Sequence, residues 1–224
     1  MFTSEYIPPT VTVDSVMFQI IDNVLNVCLV QRSKEPFKGS WALPGGYSAA
    51  GETTTDALER IVQRKAGISI TKQTKYSEQL YTFDRVARDP RGHAVAITYM
   101  SCGLNIIPSG PDEITQFFPV DNLPKLAFDH ADHIAYAHTR LSSKISYTNV
   151  IYSLLPPQFT MTELQKSYEA VFGRELDKRN FRKKFAQLDL VKETNEFKRE
   201  GAHRPAKLYE FKQKSLQTLA RTFD

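Results

Sequence analysis

Apolar residues follow two different periods along the first 143 positions, one typical of strands and one typical of helices. The predicted elements are strands at 10–21, 24–31, 79–83, 93–102 and 116–120, a helix from Thr55 to Ala66 and a closing helix at about 129–140. Asp22-Asn23 is typical of a hairpin turn, and Gly67 is placed to end the first helix. Because strands and helices interleave with hairpins, the pattern indicates an α/β or α+β sandwich.

The last third of the chain follows a different pattern, with three helices before two strands. The predicted elements are a short helix at 147–155, a second helix from Thr160 to Gly173, a third that begins after Asp177, and strands at 190–193 and 207–211 around a polar loop at 194–206. Thr160 and Glu163 have capping-box spacing, and Phe181 and Phe185 lie on one face of the third helix. This is the layout of a winged helix-turn-helix, whose third helix enters the major groove of DNA.

Charge separates the two parts of the chain. The 224 residues have a net charge of +4, but residues 1–143 carry 13 basic and 15 acidic side chains, whereas residues 144–224 carry 16 and 10. Small polar residues after Leu141 predict a boundary between a domain at 1–143 and a domain at 144–224. A basic domain of this kind predicts a polyanionic partner such as double-stranded DNA, although a solvated basic face has the same composition.

Composition excludes several classes of protein. Hydrophobic residues at 41% and charged residues at 24% are ordinary globular values, and no apolar run approaches the ~18 residues that a membrane span needs. The first residues form neither a basic nor an apolar signal region. Cys28 and Cys102 lie in apolar runs, which favours reduced core thiols. We therefore expect a cytoplasmic protein with no membrane partner.

Basic residues are concentrated on the third helix of the winged domain and in the loop between its strands. The candidate DNA contacts are Lys178, Arg179, Asn180, Arg182, Lys183, Lys198, Arg199 and Arg204. In a helix docked in the major groove, the N-terminal residues lie closest to the base edges, so Arg179 and Asn180 are the expected base contacts. The others are expected to meet phosphates.

A motif with fixed spacing occupies residues 43–68. It consists of Leu43-Pro44-Gly45-Gly46, five residues, Glu52, seven residues, Arg60, and then Val62 and Ala66-Gly67-Ile68. This spacing resembles the Nudix box. The resemblance implies a Nudix-type α/β/α sandwich with a pocket for a nucleoside diphosphate.

The Nudix resemblance places three helical carboxylates at positions where this chain has Ile61, Arg64 and Lys65. Positions i, i+3 and i+4 share one helical face, so three carboxylates there make an oxygen site for Mg²⁺, which an alkyl group and two cations do not. Without the metal, diphosphate hydrolysis loses its Lewis acid and its activated water. We therefore expect no catalytic residue, no metal ligand and no cofactor, with Mg²⁺ not required and with the two cations placed to pair directly with phosphates.

A Nudix-type domain followed by a basic winged helix is similar to the Nudix-related transcriptional regulators of bacterial NAD metabolism. The segment Arg204-Pro205-Ala206-Lys207-Leu208-Tyr209 also looks like the wing of that family. The resemblance implies a homodimeric repressor on the nucleoid in the bacterial cytoplasm, released from its operator by ADP-ribose or a related nucleotide. The residues expected to line the ADP-ribose pocket are Arg32, Trp41, Gly46, Arg64, Lys65 and Arg88.

Two other functions remain compatible with the sequence. One is an active Nudix ADP-ribose pyrophosphatase with an accessory domain, against which the residues at positions 61, 64 and 65 argue. The other is an inactive Nudix module that serves as an adaptor for a protein or an RNA. The concentration of basic residues on the predicted recognition helix and wing argues against a pure protein adaptor.

Overall fold

The computed structural model of the protein describes residues 7–110, 113–199, 205–220 and 222–223. The elements of the first part are, in chain order, β1 (Thr10–Ile21), β2 (Val24–Gln31), β3 (Trp41–Ala42), β4 (Gly45–Tyr47), α1 (Thr54–Ala66), α2 (Ile70–Gln73), β5 (Tyr76–Phe83), β6 (Ala94–Cys102), β7 (Thr115–Pro119) and α3 (His130–Tyr147). Within these ranges, no helix combines the length and the apolar character that crossing a bilayer requires.

Strand β1 organises the main sheet. It pairs antiparallel with β2 and β4 and parallel with β6, in a seven-stranded sheet of order β3-β2-β1-β6-β5 in which β7 pairs with β2. The β1–β2 turn is tight because Asp22 and Asn23 adopt positive φ of 50° and 63°. Along β1, Val13 and Met17 pack in the cluster that contains α1, whereas Phe18 packs in the cluster that contains α3. The sheet lies between these helices, which confirms the predicted α/β/α sandwich.

Both ends of α1 are held by local interactions. Thr53 and Asp56 form a capping box in which the Thr53 hydroxyl accepts from the Asp56 N–H and the Asp56 carboxylate accepts from the Thr53 N–H. Gly67 ends the helix with a φ of 67°, and a Cβ at this position would lie 2.3 Å from the backbone nitrogen of Gly110. The last turn of α1 is therefore held against the segment that leads to β7.

The second part of the chain is the predicted winged helix. It contains a 3₁₀ turn (Val150–Leu154), β8 (Phe159–Thr160), α4 (Met161–Phe172), α5 (Lys178–Leu188), β9 (Val191–Lys198) and β10 (Ala206–Phe211), with a three-stranded sheet of order β8-β10-β9. The Thr160–Glu163 capping box is present, and the Asp177 carboxylate accepts from the Asn180 N–H at 2.8 Å to start α5. Phe181 packs against Tyr168 of α4, which fixes the exposed face of α5.

Helix α3 is longer than predicted. It does not end at about residue 140 but continues to Tyr147, because Leu141, Lys144 and Ile145 extend its buried face. The predicted boundary between residues 143 and 144 therefore lies inside a continuous helix. The hydrophobic core is also continuous, since Phe18 and Leu141 belong to the same buried cluster as Tyr168 of the winged helix.

Two other boundaries differ from the sequence-based prediction. The short helix expected over 147–155 is only the five-residue 3₁₀ turn, and β9 extends to Lys198, so the polar loop begins later than expected. The short elements β3, β4, α2 and β8 were not predicted, because two to four residues do not show a period.

Candidate functional site

A cavity of about 550 Å³ opens where β1, β4, the end of β2 and the last turn of α1 meet the start of α3. Its lining is basic, acidic and aromatic. The basic side chains are Arg32, Lys34, Arg64, Lys65, Arg88 and Arg91; the acidic ones are Asp14, Glu35, Asp89 and Glu113; and the aromatic rings are Tyr47, Phe128 and His130. A volume of this size is typical of small-molecule sites, and the mixture of cations and rings suits an anionic ligand with a flat group.

Helix α1 presents Arg64 and Lys65 to the cavity, while Ile61 on the same face lies in the core. Ile61 is buried beneath Gly46, where a Cβ would lie 3.4 Å from the isoleucine side chain. Arg64 and Lys65 line the cavity one turn further along. Burial lowers the pKa of Lys65 below its ordinary value, and its ammonium lies 3.6 Å from a carboxylate oxygen of Glu113. This face of α1 therefore offers cations to a ligand.

The donor set of this face does not fit a Mg²⁺ ion. Mg²⁺ requires oxygen ligands in a near-octahedral arrangement, and no cluster of three or more His, Cys, Asp or Glu side chains in the described part of the chain could hold a metal. Glu52 is instead engaged by Arg60, whose Nε and Nη2 donate to its carboxylate at 2.8 and 2.5 Å. That hydrogen bonding, with a further one from the Ala49 N–H, lowers the pKa of Glu52 to about 2. Glu52 thus stabilises the loop before α1 through its hydrogen bonds with Ala49 and Arg60.

A buried ion pair forms the wall of the cavity at the start of α3. The Arg88 guanidinium donates to both Asp129 oxygens at 3.0 and 2.8 Å, with side chains only 4% and 5% exposed. Nε2 of His133 lies 3.3 Å from both partners, and Asp14 lies 4.0 Å from the guanidinium. Burial raises the pKa of Asp129, but hydrogen bonds from His133 and Arg88 outweigh that effect and hold the pKa below its usual value. Asp129 stands at the N-cap position of α3 but makes no capping hydrogen bond, since Arg88 uses its carboxylate.

Of the two remaining residues predicted to line the ADP-ribose pocket, Arg32 lies in the cavity lining and Trp41 does not. Arg32 lines the cavity, where its Nε donates to the Pro36 carbonyl at 2.8 Å and its guanidinium lies 4.7 Å from the centre of the Phe128 ring. Trp41 does not line it, which corrects the expectation from the sequence. Its ring packs edge-on against Phe118 at 4.6 Å, on the sheet face that belongs to the core of α3.

Several lining residues were not among the predicted ones, and Phe128, Arg91 and His130 are three of them. Phe128 has a positive φ of 56°. A positive φ is uncommon for a residue other than glycine, so the sequence does not indicate this backbone conformation. Arg91 lies over Tyr47 and Phe128, with its guanidinium carbon 5.4 and 5.5 Å from the ring centres. His130 accepts from the Leu43 N–H at 2.9 Å, and burial drives its pKa well below the ordinary value, so this ring is neutral at neutral pH.

The basic surface of the winged helix is formed mainly by α5. The predicted residues that are exposed there are Lys178, Arg179, Asn180, Arg182 and Lys183. On the wing, Arg199 is exposed, and the Lys198 ammonium is paired with Glu163 at 2.6 Å. Arg204 lies outside the described residues.

Comparisons with known proteins match both parts of the chain. Residues 10–138 match the NUDIX domain, and residues 151–211 match the NrtR DNA-binding winged helix domain. An "ADPR responsive transcriptional repressor NtrR" from Acinetobacter baylyi is 36% identical over 216 residues, which is 93% of this chain and 84% of the relative. This chain belongs to the NrtR family.

Solved NrtR structures share the whole architecture. Shewanella oneidensis NrtR complexed with a 27mer DNA aligns with a TM-score of 0.76 at 34% identity, covering 90% of this chain and 93% of that one. The Nudix domain of the same NrtR complexed with ADP-ribose aligns with a TM-score of 0.56 at 31% identity, covering 62% and 94%. In this NrtR-family chain, the matched Nudix and winged-helix regions end and begin at residues 138 and 151, so the second half of α3 joins them.

Proposed function

We propose that this protein is a transcriptional repressor of NAD metabolism genes in the bacterial cytoplasm, which binds double-stranded operator DNA as a homodimer and leaves it when ADP-ribose binds. The proposal rests on the combination of two features in one chain. A cavity lined by cations lies at the start of α3, and the domain that follows α3 carries a helix with an exposed basic face. The relatives named above are a repressor, a DNA complex and an ADP-ribose complex.

The cavity has the chemistry that ADP-ribose requires. Arg64 and Lys65 supply charge for the two phosphates without a bridging metal, and charge-assisted hydrogen bonds from such groups are stronger than neutral ones. Phe128 and Tyr47 present ring surface for the adenine. No cofactor and no Mg²⁺ are required in this proposal, because α1 provides cations where a metal would otherwise neutralise the phosphates.

The winged helix has the layout for reading an operator. Arg179 and Asn180 lie in the first turn of α5 and are the base contacts, while the remaining exposed cations of α5 and Arg199 meet phosphates. A symmetric dimer reads two inverted half-sites whose centres are ~10 bp, or a multiple of that, apart.

Operator release by ADP-ribose tests the proposal. DNA affinity is measured by fluorescence anisotropy on the protein's own promoter region, with EDTA present, while ADP-ribose is added. The DNA is expected to dissociate, because a ligand that prefers the DNA-incompetent state shifts the population away from the bound form. ADP-ribose binding that leaves operator affinity unchanged would contradict the repressor mechanism, and no binding to any promoter fragment would favour the adaptor function.

The Acinetobacter baylyi relative is described as a repressor, and we further propose that this protein does not hydrolyse ADP-ribose. Ile61, Arg64 and Lys65 leave α1 without the carboxylates that hold a catalytic metal. Purified protein incubated with ADP-ribose and Mg²⁺ or Mn²⁺ is expected to release negligible AMP. Turnover of about 1 s⁻¹ or more, an ordinary enzymatic rate, would instead support the ADP-ribose pyrophosphatase alternative.

A further inference from the structure

Among the pairs of cation and carboxylate at the cavity wall, three can be compared by their geometry, and one of these differs from the other two. The pairs are Arg88–Asp129, Arg91–Asp89 and Lys65–Glu113. In the first two, the guanidinium donates to both carboxylate oxygens at 2.6–3.0 Å. In the third, the ammonium and the carboxylate are 3.6 Å apart, beyond a good hydrogen bond. A ligand phosphate can therefore engage the third pair without breaking a bidentate interaction.

The Lys65–Glu113 pair is also buried and incompletely satisfied. The two side chains are 16% and 11% exposed, and Oε2 of Glu113 accepts no hydrogen bond from the described residues. Charges that are shielded from water interact more strongly than exposed ones, so each charge here is felt by a neighbouring ligand. Glu113 is thus an internal anion beside the cation that a phosphate would bind.

Backbone hydrogen bonds tie described residues near Glu113 to α1 and to β2. Before it, the Ser109 and Gly110 N–H groups donate to the Ala66 carbonyl at 2.9 and 3.0 Å, at the end of α1. After it, the Ile114 carbonyl accepts from the Gln31 N–H at 2.7 Å, at the end of β2. The residue that directly follows Glu113 is therefore hydrogen-bonded to the end of β2.

We propose that Glu113 makes the cavity selective for diphosphate diesters over nucleotides that end in a phosphate. The inference rests on the proposed function, since it concerns how the ADP-ribose site chooses its ligand. Each phosphate of a diester carries one negative charge, whereas a terminal phosphate carries about −1.5 to −2 at neutral pH. Glu113 repels a terminal phosphate more strongly in proportion to that charge, which offsets the stronger attraction that Lys65 exerts on the same group.

The test compares ADP-ribose with ADP on the wild-type protein and on Glu113→Gln, by calorimetry in EDTA. The two ligands share adenosine and diphosphate and differ in whether the second phosphate is esterified. The substitution is expected to tighten ADP more than ADP-ribose, so that the ratio of the two Kd values changes by about tenfold, the effect of roughly one extra charge at a partly shielded site. Contacts to the second ribose contribute to the Kd ratio of both proteins, so they cancel when the ratio of the variant is compared with that of the wild type.

Glu35→Gln is the matched control, since it removes the same charge from an exposed position on the same cavity and is expected to change the ratio less than Glu113→Gln. Glu113→Ala provides a second variant, and thermal unfolding checks that each variant is folded. An equal change for both ligands, or no change, in both Glu113 variants would overturn the selectivity role while ADP-ribose binding stands. Wild-type protein that binds neither ligand would refute the proposed function itself.

Discussion

At the scale of single residues, the charged side chains around the cavity differ in how completely they are removed from water. Asp129 and Arg88 are almost fully buried, and each loses its bidentate partner if the other is replaced. Arg85 and Asp132 make a comparable contact at 3.3 Å, but their side chains are 69% and 62% exposed. Burial, more than the presence of an ion pair, decides what a charge contributes to stability.

We expect Asp129→Asn to destabilise the protein by about 3 kcal/mol or more, because the isosteric amide leaves the Arg88 charge buried without its bidentate partner. Urea denaturation in the absence of nucleotide measures this. Asp132→Asn, on the same helix, is the control and is expected to cost less than about 1 kcal/mol. Equal decreases in the free energy of unfolding in the two variants would show that burial does not make the Arg88–Asp129 pair more important for stability than an exposed pair.

The pH dependence of stability has a definite sign at Glu52. Its pKa is about 2 in the folded protein against an ordinary value of 4.5, so its pair with Arg60 stabilises the fold fully above about pH 4.5 and progressively less as pH falls toward 2. The difference in thermal midpoint between wild type and Glu52→Gln is expected to be largest at neutral pH and to shrink in acid. A difference that stays constant down to about pH 3 would argue against this role.

At the scale of elements, α5 combines an apolar face that fixes it to α4 with a polar face that is free to meet DNA. Phe181 and Phe185 stack at 5.6 Å and both contact Tyr168. Because the side chains of a helix keep fixed angles to one another, anchoring these two rings determines which residues are presented outward. On the wing, by contrast, the Lys198 ammonium donates to the Glu163 carboxylate at the start of α4. This charge therefore contributes to packing within the winged helix domain.

Substitutions in α5 are expected to separate base contacts from phosphate contacts. Arg179→Ala or Asn180→Ala should cost about 1–3 kcal/mol on the cognate operator and relax preference at one position, whereas Lys183→Ala should weaken all sequences alike and lower the salt slope by about one unit. Lys198→Ala should lower the slope by less, since its ammonium already has a carboxylate partner. Affinities are measured by anisotropy over a series of salt concentrations.

Lys72→Ala, which removes an exposed lysine from α2 far along the chain from the winged helix, is the control for that series and should leave the slope unchanged. Retention of full operator affinity after neutralising the five exposed cations of α5, which are Lys178, Arg179, Arg182, Lys183 and Lys184, would mean that another surface reads the DNA.

At the scale of the whole molecule, α3 and the C-terminal residues connect the cavity to the recognition helix. His130 at the start of α3 lines the cavity, and at its other end the Tyr147 carbonyl accepts from the Leu219 N–H at 2.8 Å. The Ser146 carbonyl accepts from the Phe223 N–H at 2.6 Å, and the Phe223 ring packs against Phe181 at 5.4 Å. A continuous path of packed residues thus runs from the ligand site to α5.

We expect Phe223→Ala to destabilise the protein by about 3 kcal/mol, the cost typical of removing a buried phenylalanine ring, because this side chain is 6% exposed among aromatic residues of α4 and α5. Leu216→Ala, at an exposed position of the same segment, should cost less than about 0.5 kcal/mol. Urea denaturation compares the two. If they cost the same, the C-terminal residues do not form part of the core.

Much of the fold was predictable because its signals are local. The ends of β1 and β2, the left-handed turn between them and the capping boxes of α1 and α4 each depend on neighbours within a few residues. The end of α3 was not, because Leu141, Lys144 and Ile145 extend that helix by packing against other elements. The position of Trp41 was predicted wrongly for a similar reason. Which face of the sheet its side chain occupies depends on how β3 pairs with β2, and that pairing cannot be read from two residues of sequence.

For the candidate site, the sequence by itself determined that positions 61, 64 and 65 share a helical face without carboxylates, because helical spacing is a property of the backbone alone. The tertiary structure alone decided which charge meets which. Arg88 and Asp129 are 41 residues apart, and Lys198 and Glu163 are 35 apart, yet each pair lies within hydrogen-bond distance. Ion pairing depends on distances in space and on burial, and both arise only when the sheet, the helices and their loops have packed together.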